Sequence, residues 1–351
     1  MDTCPITARS LQRPYHIKGD EFERAYKDFL SGYRTWEELA HAEQWLVFPE
    51  NVGPHVSIDE TSLSRGELYT IVANKAGKAK RGTLIAIVKG TRIEDVVAAL
   101  NRIGPDKRSL VKEVTMDFSD SMSSIVEQCF PDAEKVIDRF HAQKLAYEAM
   151  QAVRMTEKRK AVKAENKAKK AFKKRQQTNI KRRKKGDKDS RGRKPARKNE
   201  AYKPERLSNG DTVVELLTRS RYLLMQPGCN WTESQKTRAK LLFELFPDIE
   251  LAYSLAHSLR MRYNNKTDDI IIAGESIREW CRMAKESGME DFDSVADTIE
   301  DRFSDVLHYF NNRATNAFAE SLNAKLKNFR AQVRGVVDTK FFLFRVSLIF
   351  G

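Results

Sequence analysis

Cysteine is scarce and poorly spaced for chemistry. Cys4, Cys129, Cys229 and Cys281 show no CxxC pairing, which argues against a zinc ribbon or a disulfide framework and fits a reducing cytosol. Long hydrophobic runs are missing too. Nowhere do about 18 apolar residues follow one another, as a membrane-crossing helix requires. The most apolar stretch, Phe341 to Phe350, is ten residues long and is broken by Arg345, so no membrane partner is expected. Met1 to Asp20 lacks the apolar centre of a secretory leader, and the expected location is cytoplasmic. Most of the chain also lacks positive charge in excess. Of the overall +14, with pI near 9.5, residues 154–206 hold 24 Lys and Arg against 6 Asp and Glu, which leaves 39 against 43 elsewhere. The basicity, and with it the signature of a polyanion partner, belongs to one segment.

What is present suffices for one large or two moderate domains: 351 residues, 40% of them apolar. Val56 to Asp59, Leu68 to Ala73 and Leu84 to Val88 read as three strands of a meander, with Gly66, Gly77 and Gly90 between and after them. Thr91 and Glu94 have the spacing of a capping box, ahead of a helix with Ile93, Val96, Val97, Leu100 and Ile103 on one face, stopped by Gly104-Pro105. Val111 to Phe118 reads as a buried strand. A helix follows with Met122, Ile125, Val126 and Cys129 inward, then a short strand, Val136 to Asp138, and a helix from about His141. This order of three strands, helix, strand, helix, strand, helix is the ribonuclease H-like arrangement of an α/β mixed sheet flanked by helices. In that arrangement the first and fourth strands lie side by side.

Residues 158–198 carry too few large apolar side chains to repay their own ordering, and the expectation is a solvated helix followed by a loop over residues 186–195. Thr212–Met225, Thr232–Phe246, Ile249–Arg262, Ile270–Lys285 and Phe292–Phe310 each show helical spacing. The expected organisation is an N-terminal helical segment (1–50), the first part of the core (51–153), a basic linker (154–206), a large all-α insertion (207–310), and the final core helix with a tail (311–351).

Three short stretches place a carboxylate where an apolar run meets a polar one: Asp59, Asp117 and Glu320. They are 58 and 203 residues apart, so only folding around a large insertion can assemble them. Near Glu320, Phe318, Leu322, Leu326 and Phe329 form one helical stripe, and Asn316, Glu320, Asn323, Lys327 and Arg330 form another, expected to face away from the local core. Three carboxylates are a sufficient protein contribution to a pair of Mg²⁺ (or Mn²⁺) ions, which prefer hard oxygen and keep several waters. Two such ions can both activate a nucleophile and stabilise a leaving oxygen at a phosphodiester. Taken singly, each acid also reads as a turn, a cap or a solvated group. Glu60 and Asp120 read as flanking residues. His141 at a helix start is also read as a capping or core histidine. Trp231 is open to stacking on an extruded base or to helical core packing. Lys173, Lys174, Arg175, Arg182 and Arg183 of the basic tract could contact phosphate without reading bases, or form a solvated tail.

Taken as a set, Ser57-Ile58-Asp59-Glu60-Thr61, Val114-Thr115-Met116-Asp117, Phe130-Pro131-Asp132-Ala133, Val136-Ile137-Asp138-Arg139-Phe140-His141, Ser220-Arg221-Tyr222-Leu223-Leu224 and Asn316-Ala317-Phe318-Ala319-Glu320-Ser321-Leu322-Asn323 are similar to a DDE transposase of a bacterial insertion sequence, of the ISL-three family. The likeness covers roughly residue 45 to the end. It implies an enzyme that cuts DNA at transposon ends and joins the 3′ ends to a target. Asp59, Asp117 and Glu320 would be its acidic triad, and Asp138 and His141 an Asp-x-x-His element that arranges the site or holds flanking DNA. It further implies a dimer or larger assembly on DNA and a nucleoid-associated protein. Such transposases carry a zinc-binding and helix-turn-helix region ahead of the core. Here only about 50 residues precede Asp59, so a separate DNA-binding chain from the same element, or a truncated copy, is the expectation. The alternative functions are a catalytically inactive nucleic-acid-binding remnant and a structure-selective ribonuclease H-like nuclease.

Overall fold

The computed structural model describes residues 1–63, 66–186, 201–266, 269–333 and 338–351, and of 179–186 the backbone alone. The chain divides into two units, one of Met1–Ala142, Lys266–Gly274 and Thr298–Gly351, the other of Gln143–Asn265 and Glu275–Asp297.

The first unit is built on six strands: β1 (Trp45–Val47), β2 (His55–Ser62), β3 (Leu68–Asn74), β4 (Leu84–Lys89), β5 (Glu113–Met116) and β6 (Glu134–Ile137), in the order β1-β4-β3-β2-β5-β6. β2, β3 and β4 form the antiparallel meander, and β5 and β6 join it in parallel. Apart from β1, this is the ribonuclease H-like order, and the fold class is α/β. β4 and β5 are buried along nearly their whole length, because helices cover both faces of the sheet. For that reason they read as unbroken apolar runs and not as alternating patterns. The sequence reading omitted β1, which pairs antiparallel with β4. Three residues are too short for a period to register.

α1 (Gly19–Ala25) belongs to the N-terminal segment. α2 (Ile93–Leu100) packs against β1, β4 and α3 (Asp120–Cys129), which in turn packs on β5. The expected capping box at Thr91 and Glu94 does not form: Arg92 is the N-cap of α2, and no side chain caps it. Ser119 does cap α3, accepting from Met122 N. The sheet's opposite face is covered by α11 and α12, defined below.

In the second unit, α4 (Arg139–Gly186), which begins in the first, continues through the basic tract; the loop expected after it lies outside the described residues. α5 (Val213–Leu223) and α6 (Glu233–Leu245) start on true capping boxes, Thr212 with Glu215 and Thr232 with Gln235. α7 (Pro247–Asn264), α8 (Ile270–Glu286) and α9 (Glu290–Asp301) follow. Their core includes Leu216, Leu255, Leu259 and Trp280. The Trp280 indole N–H donates to Leu255 O at 2.9 Å. Trp231 is part of this packing: its N–H donates to Leu223 O at 3.0 Å, and its ring lies 5.3 Å from that of Tyr253.

The single helix expected over Phe292–Phe310 is two. Arg302 leaves helical geometry (φ −116°, ψ 29°), its guanidinium bonded to Asp120, and α10 (Phe303–Asn312) turns onto β6, where the His308 ring meets Lys135 O at 2.8 Å. α11 (Ala317–Gln332) and α12 (Thr339–Phe350) then close the first unit: Leu322, Leu326, Phe329, Phe342, Leu343, Val346 and Phe350 pack with Leu46, Tyr69, Ile71, Leu84 and Ile87. α12 is the most apolar stretch of the chain. Its buried Arg345 is held by the carbonyls of Met1, Cys4 and Ile6 at 2.6, 3.1 and 3.2 Å, which ties the N-terminal segment to this helix. Among the described residues, no helix is long and apolar enough to cross a membrane.

Candidate active site

Two carboxylates meet at one end of the sheet because of strand register. β2 and β5 run parallel with Ser57 beside Thr115. Asp59 and Asp117 each follow by two residues, so both return to the same face of neighbouring chains, where strands lie about 5 Å apart. β6 fixes a third acid beside them: Asp138 N donates to Met116 O at 3.1 Å, continuing the ladder by one residue. One turn into α4, His141 reaches back. Its Nδ1 lies 2.9 Å from Asp117 Oδ1 and 3.5 Å from Asp138 Oδ2.

α11 brings the fifth component. The Asn323 amide donates to Asp59 Oδ2 at 2.6 Å, and Glu320, one turn earlier on the same helix, raises the pKa of Asp59. Asp59 is pushed up to about 6, first by burial and then by the charge of Asp117, against a 2.8 Å hydrogen bond from Glu60 N. Burial alone would lower His141, but its two carboxylate partners prevail and raise it to about 9, so it is a cation at neutral pH. Glu60 is also raised, by burial and then by Asp117.

The polar stripe expected on α11 is divided. Asn316, Asn323 and Arg330, seven residues apart, are buried beneath the helix, whereas Glu320 and Lys327 are exposed. A helix repeats nearly the same side every two turns, and the side carrying the amides is turned to β2. Arg330 is built into the structure away from the acids, 3.5 Å from Glu67 and 5.0 Å from the Phe342 ring. Lys173, Lys174 and Arg175 are exposed on α4 in the second unit. The side chains of Arg182 and Arg183 lie outside the described residues. Asp120 is exposed and bonded to Arg302.

Several buried polar atoms on these elements lack hydrogen-bond partners: both side-chain atoms of Asn316, Oδ1 of Asn323, Oγ1 of Thr61 and Oδ1 of Asp138. Buried polar atoms are normally satisfied, so this concentration beside mutually repelling carboxylates marks a place built to receive something. The sequence reading did not single out Thr61. It lies two residues beyond Asp59 on β2, and strand alternation puts it on the same face. Among the described residues no three His, Cys, Asp or Glu side chains converge closely enough to share an ion; Asp59 is turned to Asn323 and Asp117 to His141. The donor set nevertheless suits a hard divalent cation, which would relieve the repulsion that raises Asp59.

A ribonuclease H-like sheet with acids at the adjoining ends of the parallel neighbours β2 and β5 defines the structural class. Within it, the family model described as Transposase, of the ISL-three DDE type, matches residues 56–346. The chain therefore belongs to the ISL-three family of DDE transposases, enzymes that act on DNA. It matches no curated protein and no solved structure.

Proposed function

We propose that the chain cuts DNA at the ends of an insertion sequence and transfers the strands to a target, with Asp59, Asp117 and Glu320 as its catalytic, metal-holding acids. The observation that carries this reading is the Asn323–Asp59 hydrogen bond: it ties the helix of Glu320 to the strand of Asp59 across 264 residues of chain. Asp59 feels, after the effect of its own burial, the charge of both other acids, which suits a carboxylate that would share in holding the metal. His141, cationic between Asp117 and Asp138, orients Asp117, and Asn323 sets the rotamer of Asp59. Two Mg²⁺ or Mn²⁺ ions, when bound by these acids, supply an activated water or 3′-hydroxyl and stabilisation of the leaving oxygen. Lys327, exposed on the same helix, is a contact to the DNA backbone, and the buried Asn316 supports the start of that helix from beneath. Two ends per element call for at least two copies of the chain on DNA.

The test is cleavage and joining of DNA flanking the gene, in Mg²⁺ and then Ca²⁺. Asp59→Asn is expected to lower both by about a thousandfold or more while affinity for the same DNA stays within about twofold. Wild-type protein that binds but never cuts, or an Asp59→Asn variant that cuts normally, removes the reading.

A further inference from the structure

Phe140, the second residue of α4, stands 56% exposed directly between Arg139 and His141. Its ring meets the His141 imidazole edge-on, with centroids 5.7 Å apart and planes at 87°. His141 is itself held by Asp117 and Asp138, so the aromatic ring is fixed at the rim of the acid cluster with more than half of its surface open. The ring is not among the side chains of the cluster that α11 and α12 form with the sheet. Isolated apolar residues on a surface need no special account, but here the exposed group is a flat ring beside the point where a phosphodiester would enter.

We propose that Phe140 stacks on a nucleobase displaced from the duplex next to the phosphate being cut. The inference rests on the DNA-cleaving function proposed above. A stacked duplex resists bringing one backbone linkage down onto carboxylates at a sheet edge, and unpairing a neighbouring base frees that linkage to bend. An aromatic face accepts any base, because every base has a π surface. The role is therefore positioning and independent of sequence.

The experiment uses the full chain in Ca²⁺ with two probes, a duplex taken from the DNA flanking the gene and the same duplex carrying one unpaired thymine at the cut position. Wild type is expected to prefer the unpaired probe by about tenfold. Phe140→Ala should lose that preference while its affinity for the fully paired probe is unchanged, and Phe140→Trp should keep it. In Mg²⁺ the unpaired probe should restore cleavage to Phe140→Ala. If wild type shows no preference, or Phe140→Ala retains it with an unchanged melting temperature, the proposal is wrong. Wild-type cleavage beside the probe preference distinguishes the two readings: preference intact in a wild type that never cuts would overturn the catalytic function and leave Phe140 a base-stacking residue, whereas normal cutting with no Phe140-dependent preference would do the reverse.

Discussion

Asp59 and His141 both contribute stability that is lost as pH rises, each in its own window. The Asp59 carboxyl, ordinarily near 3.8, is raised to about 6 by burial and then by Asp117, so the folded state binds that proton more tightly than the unfolded chain. The associated stability is fully present below the ordinary value and is lost as pH rises through about 6. Asp59→Asn removes the cost of the buried charge, and its melting temperature is expected to exceed wild type by a few degrees at pH 8 and to converge with it near pH 4. An equal difference at both pH values would contradict this. His141 runs the same way in a higher window: held at about 9 by Asp117 and Asp138 against burial, it contributes stability that is complete below about 6.5 and lost as pH rises through about 9. His141→Gln should cost about 1–3 kcal/mol at pH 6 and progressively less toward pH 10, read from urea midpoints at each pH.

Helix starts distinguish elements that look alike in sequence. Thr212 accepts from Glu215 N at 3.2 Å, and Glu215 Oε2 accepts from Thr212 N at 2.8 Å. Thr91 and Glu94 have the same spacing, yet α2 begins after Arg92 with no side-chain cap. Thr212→Ala is therefore expected to destabilise the chain by about 1 kcal/mol, while Thr91→Ala changes little, both followed by circular dichroism in urea. Equal effects would mean the capping assignment is wrong. Spacing states only that a reciprocal pair can form. Whether it does depends on where the chain turns into the helix, and after β4 that turn is set by Gly90, whose φ is +85°.

The charge of the whole molecule is concentrated in the tract that α4 carries, where Lys173, Lys174 and Arg175 are exposed. Consecutive helical residues point about 100° apart, so the three cannot all meet one duplex. Replacing them together by Ala should weaken binding evenly across DNA sequences and reduce the slope of log affinity against log salt by about 1–2. A loss confined to one sequence would assign the tract to base reading instead.

Local pattern alone established the strands of the meander, the apolar face of α11 and the positions of Asp59 and Asp117, because burial on both faces writes continuous apolar runs and a helix writes its period. It also carried the family likeness. Tertiary structure alone decided the rest. β1 became a strand only by pairing with β4, Arg302 broke a helix that periodicity left whole, and Arg330 turned inward to Glu67 although it shares a stripe with Glu320. Periodicity reports which side of its own element a residue occupies; it does not report which element lies across from that side. The approach of Asn323 to Asp59, 264 residues away, belongs to strand register and helix docking, interactions between segments that no window along the chain contains.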